Sequence, residues 1–197
     1  MSRARGFSLI ELLLTLAIMG VLAAIAVPMS SNAVRYLKIS GDARDLSNAL
    51  SATKMRSAAK FTQSRLLVDL SGNSYYIQTY NKTLSAWATE GGTTTLSSRV
   101  TFGFGSVSSA PANTQTTIGQ ASACYDNASP PVAIANTACV IFNSRGIPVV
   151  ASTGSPTGDY ALYLNDGSFI YGITVAATGF IQTWRSNFTT TPSWSVQ

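Results

Sequence analysis

The chain reads as an α+β protein: a long N-terminal helix, transmembrane in its first half and amphipathic in its second, packed on small antiparallel β-sheets. Three observations predict this. Phe7–Val27 is a run of 21 residues that holds one charge, Glu11. From there to about Thr62, apolar residues recur at three- and four-residue steps. Beyond Arg65 the chain breaks into short strand-like runs separated by turn residues.

Composition agrees. At 197 residues there is room for one ordinary domain plus a membrane segment. Only 11% of residues are charged against 46% hydrophobic, well under the usual quarter, as a span followed by uncharged strands would give. Abundant glycine, serine, threonine and alanine after the helix suit an extracytoplasmic β-rich domain. The chain has no histidine, which excludes serine–histidine and cysteine–histidine nucleophile pairs and the usual histidine zinc sites. Asp159 and Asp166 each sit beside turn residues, where aspartate is ordinary. No nucleophile, metal cluster or phosphate loop stands out, so neither an enzyme nor a cofactor is expected.

The first element is the apolar run. As a helix it spans about 32 Å, close to the hydrocarbon thickness of a bilayer. Its large apolar residues offer roughly 5 kcal/mol of insertion energy, and one buried acid costs about 2.5–3.5 kcal/mol, so it still inserts. Arg3 and Arg5 precede it and keep the N-terminus cytoplasmic. Glu11 lies about one helical turn from the start of the run. An ionisable residue there is either a functional group with a partner or a side chain that snorkels to the headgroups. Ala24-Ile25-Ala26 offers a competing reading, an ordinary signal peptidase site that would leave a chain starting at Val27. The apolar run exceeds the usual 7–15-residue signal core and contains a glutamate, which counts against it.

Arg5-Gly6-Phe7-Ser8-Leu9-Ile10-Glu11-Leu12 resembles the prepilin peptidase recognition motif of type IV pilins and type II secretion pseudopilins. The resemblance implies a leader at residues 1–6, cleavage between Gly6 and Phe7, and N-methylation of the Phe7 amine. It gives Glu11 the role of pairing with the N-terminal amine of a neighbouring subunit. Pro28 matches the proline that interrupts the long helix of many pilins. Residues 7–28 would then be the membrane and assembly helix, held in the bacterial inner membrane with the C-terminal domain periplasmic until it joins a filament.

The second element, residues 29–64, carries the stripe Ile39, Ala43, Leu46, Leu50, Thr53 and Phe61. One long helix is expected, bent or loosened near Pro28 and Gly41. The stretch from Met29 to Arg65 holds seven basic residues against two acids, read as a basic face left to solvent or to neighbouring subunits. The overall charge is +5, and from Leu66 onward four basic residues meet five acids.

The third element is the β-rich domain, 65–197. Arg65–Leu70 and Ser74–Tyr80 flank Ser71-Gly72-Asn73 as a hairpin. Further strands are expected at Arg99–Phe104, Cys139–Phe142, Gly146–Val150, Asp159–Leu164, Ser168–Val175 and Gly179–Trp184, the last three as a meander. Residues 106–137 form an insert long for a structureless loop, either functional or disordered in part. Cys124 and Cys139, 15 residues apart, favour a disulfide in an exported chain, contributing roughly 3 kcal/mol. The tail holds Phe188 and Trp194, read as rings that anchor it by packing.

The order helix, hairpin, insert, Cys-Val-Ile-Phe-Asn-Ser-Arg-Gly-Ile-Pro and glycine-punctuated meander resembles the GspH/FimT family. That resemblance implies the pilin fold and the role of a minor pilin or minor pseudopilin that primes filament assembly near the tip. Its partners would be other pilins or pseudopilins and the prepilin peptidase. Some members of FimT type are DNA receptors, through a basic Gly-Arg-x-Arg motif. Here the matching stretch runs from Gly179, with Phe180 and Gln182 at the arginine positions. Trp184 and Arg185 remain as one stacking surface and one phosphate contact, so DNA binding is the disfavoured alternative.

Overall fold

A computed structural model describes residues 8–197. The leader, Gly6 and Phe7 therefore lie outside the described residues. The chain forms two compact units that divide between Leu37 and Lys38.

Helix α1 (Leu9–Ala59) contributes to both units. Its part in the first is treated with the candidate site below. In the second unit Ile39, Ala43, Leu46, Leu50, Thr53 and Ser57 are all fully buried, a single stripe at three- and four-residue spacing. The expected stripe is correct as far as Thr53 and then departs. The helix ends at Ala59, short of residue 64, and Phe61 stands 76% exposed.

The cause is the helix end. Phe61 N–H bonds to Ala58 O at 3.3 Å and Thr62 N–H to Ser57 O at 3.2 Å. Phe61 sits in the left-handed region at φ 50°. This is a Schellman closure with a bulky residue where glycine is usual. Phe61→Gly is therefore expected to raise stability by about 0.5–1 kcal/mol, seen as a higher urea midpoint with unchanged slope.

Nine strands follow: β1 (Ser64–Asp69), β2 (Ser74–Asn81), β3 (Ala86–Thr95), β4 (Thr101–Phe102), β5 (Thr137–Phe142), β6 (Tyr160–Asn165), β7 (Phe169–Val175), β8 (Ile181–Asn187) and β9 (Ser195–Val196). They make two antiparallel sheets, ordered β3-β2-β1-β5 and β4-β6-β7-β8-β9. In the first, Leu66 pairs with Ile77 and Val140, and Val68 with Tyr75 and Ala138. In the second, Leu162 pairs with Ile173 and Leu164 with Tyr171. Leu66, Val68, Val140, Leu162, Leu164 and Ile173 join Ile39, Ala43, Leu46 and Leu50 in one buried cluster. Both sheets thus close on one helix face, which is the expected α+β arrangement.

The expected meander is present as β6-β7-β8, and β9 adds the tail to its edge. Trp194 packs against Tyr163, ring centroids 6.0 Å apart, and its indole N–H donates to Ser109 O at 3.0 Å. Two expectations need correction. Residues 146–150 form no strand, only the isolated bridges Phe142↔Pro148 and Val149↔Pro156, because Pro148 has no N–H to give a ladder. Arg99–Phe104 shrinks to the two residues of β4. The 106–137 insert is packed rather than loose: Val107, Ile118, Ala121 and Cys124 are all buried.

The basic face is also less solvated than expected. Lys54 Nζ donates to Gly179 O at 2.8 Å, and Lys38 Nζ to Ser98 Oγ at 2.9 Å. Arg56 pairs with Glu90 at 3.3 Å, and Lys60 pairs with the same carboxylate. Arg65 belongs to β1 and is 3% exposed.

Candidate assembly helix

Local chemistry sets where α1 begins. Ser8 precedes the first helical residue, and its Oγ accepts the Glu11 N–H at 3.3 Å. Ser8 O accepts the Leu12 N–H at 3.2 Å. Ser-x-x-Glu at a helix start is the capping-box spacing, and the serine hydroxyl occupies one of the four donors a helix start leaves open. That signal is legible in the sequence and marks Ser8 as part of the site, which the expectations above do not include.

Glu11 is then the acid of the first turn. Its side chain is exposed, and the salt bridges among the described residues do not include it. The aligned peptide dipoles favour a carboxylate at this end of a helix. The side chain is thus presented outward, one turn into the apolar segment.

The surface around it is mainly apolar. Leu9, Ile10, Leu12, Leu13, Leu14 and Leu16 are each 54–78% exposed; Glu11 and Thr15 share the side that these six leave, and the exposed Ile18, Leu22 and Ile25 continue that side as apolar surface. Leu9–Ala26 has a mean hydropathy of 2.5 with no residue buried. At 1.5 Å per residue those 18 residues extend about 27 Å. The helix is long and apolar enough to cross a membrane.

One comparison bears on this segment. Residues 1–27 match the prokaryotic N-terminal methylation motif. The match covers Gly6, Phe7, Ser8 and Glu11 and the exposed apolar run up to Ala26. No curated protein matches the chain. Among solved structures, the minor pseudopilin EpsH from the type 2 secretion system of Vibrio cholerae is similar at 10% identity and a TM-score of 0.38, over 81% of this chain and 96% of that one.

The remaining expected site residues lie in the second unit. Cys124 and Cys139 form a disulfide. It links the insert to β5, and both residues are buried. Around it Cys139 N–H bonds to Ser122 O at 2.7 Å, and Ile134 N–H to Cys124 O at 2.7 Å. The insert thus covers the open edge of β5.

Trp184 and Arg185 are consecutive on β8, so their side chains leave opposite faces of the sheet. Trp184 Nε1 donates to Thr174 Oγ1 at 2.9 Å. The Arg185 guanidinium lies 4.8 Å over the Phe169 ring on the other side. The fold does not bring the stacking surface and the phosphate contact together.

Proposed function

We propose that this chain is a minor pilin or pseudopilin, a structural subunit and not an enzyme, that enters a filament through the first half of α1. The observation that carries the reading is the methylation motif at residues 1–27 on a helix whose apolar surface is exposed. Such a surface is unstable in water and is satisfied by lipid before assembly and by other apolar helices after it. The chain is held in the bacterial inner membrane as a precursor. Prepilin peptidase cuts between Gly6 and Phe7, and the Phe7 amine is methylated.

Glu11 then pairs with the N-terminal amine of a neighbouring subunit and sets the axial register. Within the filament the domain acts near the tip, priming assembly. Nothing in the placement of Trp184 and Arg185 favours the DNA-binding alternative.

Intact mass of the protein from its native membrane tests this, with and without prepilin peptidase. The expected species begins at a methylated Phe7 and disappears when the peptidase is absent. A species beginning at Val27 would mean ordinary secretion and would remove the anchor on which assembly depends.

A further inference from the structure

The β3-β2-β1-β5 sheet has α1 on one face. Its other face carries Arg65, Leu67, Gln78, Trp87 and Ile141 and is covered by the disulfide-tied insert and by residues around 149–152. Where these covers part, a cleft of about 640 Å³ remains, and Arg65 lines it.

Arg65 is an unusual group to find there. It is 3% exposed, and burial lowers its pKa to about 10, which leaves it charged at neutral pH. Its Nε donates to Gln78 Oε1 at 2.8 Å and its Nη1 to Tyr125 O at 2.7 Å. The guanidinium lies 4.2 Å over the Trp87 ring. All three partners are neutral. Among the described residues no carboxylate lies within ion-pair distance of it. Asp126, the acid on the cleft lining, accepts the N–H groups of Ala128 and Val132 through Oδ1.

A desolvated cation without a counter-ion is costly, and an incoming anion recovers part of that cost. We propose that the cleft binds the C-terminal carboxylate of a partner protein. Arg65 is the counter-ion, and Tyr80, Trp87 and Tyr125 wall the flanking residues. With Nε and one Nη1 donor engaged, the remaining Nη donors of the guanidinium suit a carboxylate, and aromatic residues beside an arginine are enriched in binding hot spots. A sugar ring is less suited: Arg65 covers the Trp87 ring, and Tyr80 meets it at an interplanar angle of 69°.

The test uses the ¹⁵N-labelled full chain in detergent, titrated with acetyl-Ala-Ala-Phe bearing a free carboxylate and with the same peptide as its amide. The Trp87 indole N–H and Arg65 Nε–H resonances report the site. The acid should shift both saturably, and the amide should bind roughly ten-fold or more weakly, the scale of a charge-assisted hydrogen bond. Arg65→Met should abolish the response to the acid. Because that substitution also releases Tyr125, the acid-against-amide comparison in the unaltered chain stands as the deciding one. Equal binding of both peptides, no saturable shift with either, or glucuronate binding as tightly as the acid would overturn the proposal.

Discussion

Replacing Glu11 by alanine is expected to lower incorporation into filaments by roughly two to three orders of magnitude, with the amount of protein in the membrane unchanged. The magnitude follows from the environment. In the proposed assembly the Phe7 amine of one subunit is buried among apolar helices with Glu11 of its neighbour as counter-ion. Removing one partner of a buried ion pair costs about 3–5 kcal/mol, and each 1.4 kcal/mol is tenfold in an equilibrium. Insertion has the opposite dependence. An acid in the span opposes insertion by about 2.5–3.5 kcal/mol, so its loss cannot reduce the membrane pool. The ratio of sheared-filament to membrane protein, by immunoblot, separates the two effects. Glu11→Gln should fall nearly as far as Glu11→Ala, since it keeps the shape and loses the charge. Normal incorporation of Glu11→Ala would leave the residue as a side chain that snorkels to the headgroups and would remove its assembly role.

The features legible in the sequence were those written in local periodicity. The apolar span shows in hydropathy alone, and the Ile39–Thr53 stripe in steps of three and four. The β6-β7-β8 meander shows in runs broken at Asn165-Asp166-Gly167 and Ala177-Thr178-Gly179. Strand β3 was not legible. It is a largely exposed edge strand with Gly91-Gly92 and Glu90 inside it, so it carries neither apolar alternation nor the usual residue preferences.

Arg65 was counted with the basic face because burial of a cation depends on what surrounds it in space. Here Gln78, Trp87 and Tyr125 come from three separate segments. Two features of the β-rich domain had a signal available in the sequence. Period-two geometry already places Trp184 and Arg185 on opposite faces of a strand, and Pro148 already argues against a paired strand at 146–150.

Lys54 shows the same limit and leads to the second large effect. Gly146 and Gly179 each read as the glycine that closes a turn (Asn143-Ser144-Arg145-Gly146 and Ala177-Thr178-Gly179) and opens an expected strand, but nothing local says that the two turns meet. In the structure a Cβ placed on Gly179 would lie 2.4 Å from Gly146 O and 3.2 Å from Lys54 Nζ. The Gly179 carbonyl accepts the Lys54 ammonium at 2.8 Å, so this point ties α1 to two loops at once. Gly179→Ala is expected to destabilise the protein by about 2–5 kcal/mol. One part is the left-handed backbone, φ 77°, worth roughly 1–2 kcal/mol with a Cβ. The other is overpacking against a backbone oxygen that has no rotamer to change, worth about 1–3 kcal/mol.

Gly167→Ala isolates the first part. Gly167 has φ 80°, and nothing lies within 4 Å of its added Cβ, so its cost should stay near 1–2 kcal/mol. Urea unfolding of the full chain in detergent, followed by tryptophan fluorescence, gives both values under the same conditions. A Gly179→Ala loss no larger than that of Gly167→Ala would mean that the Gly146 loop yields freely. The junction at Lys54 would then be a contact without rigidity.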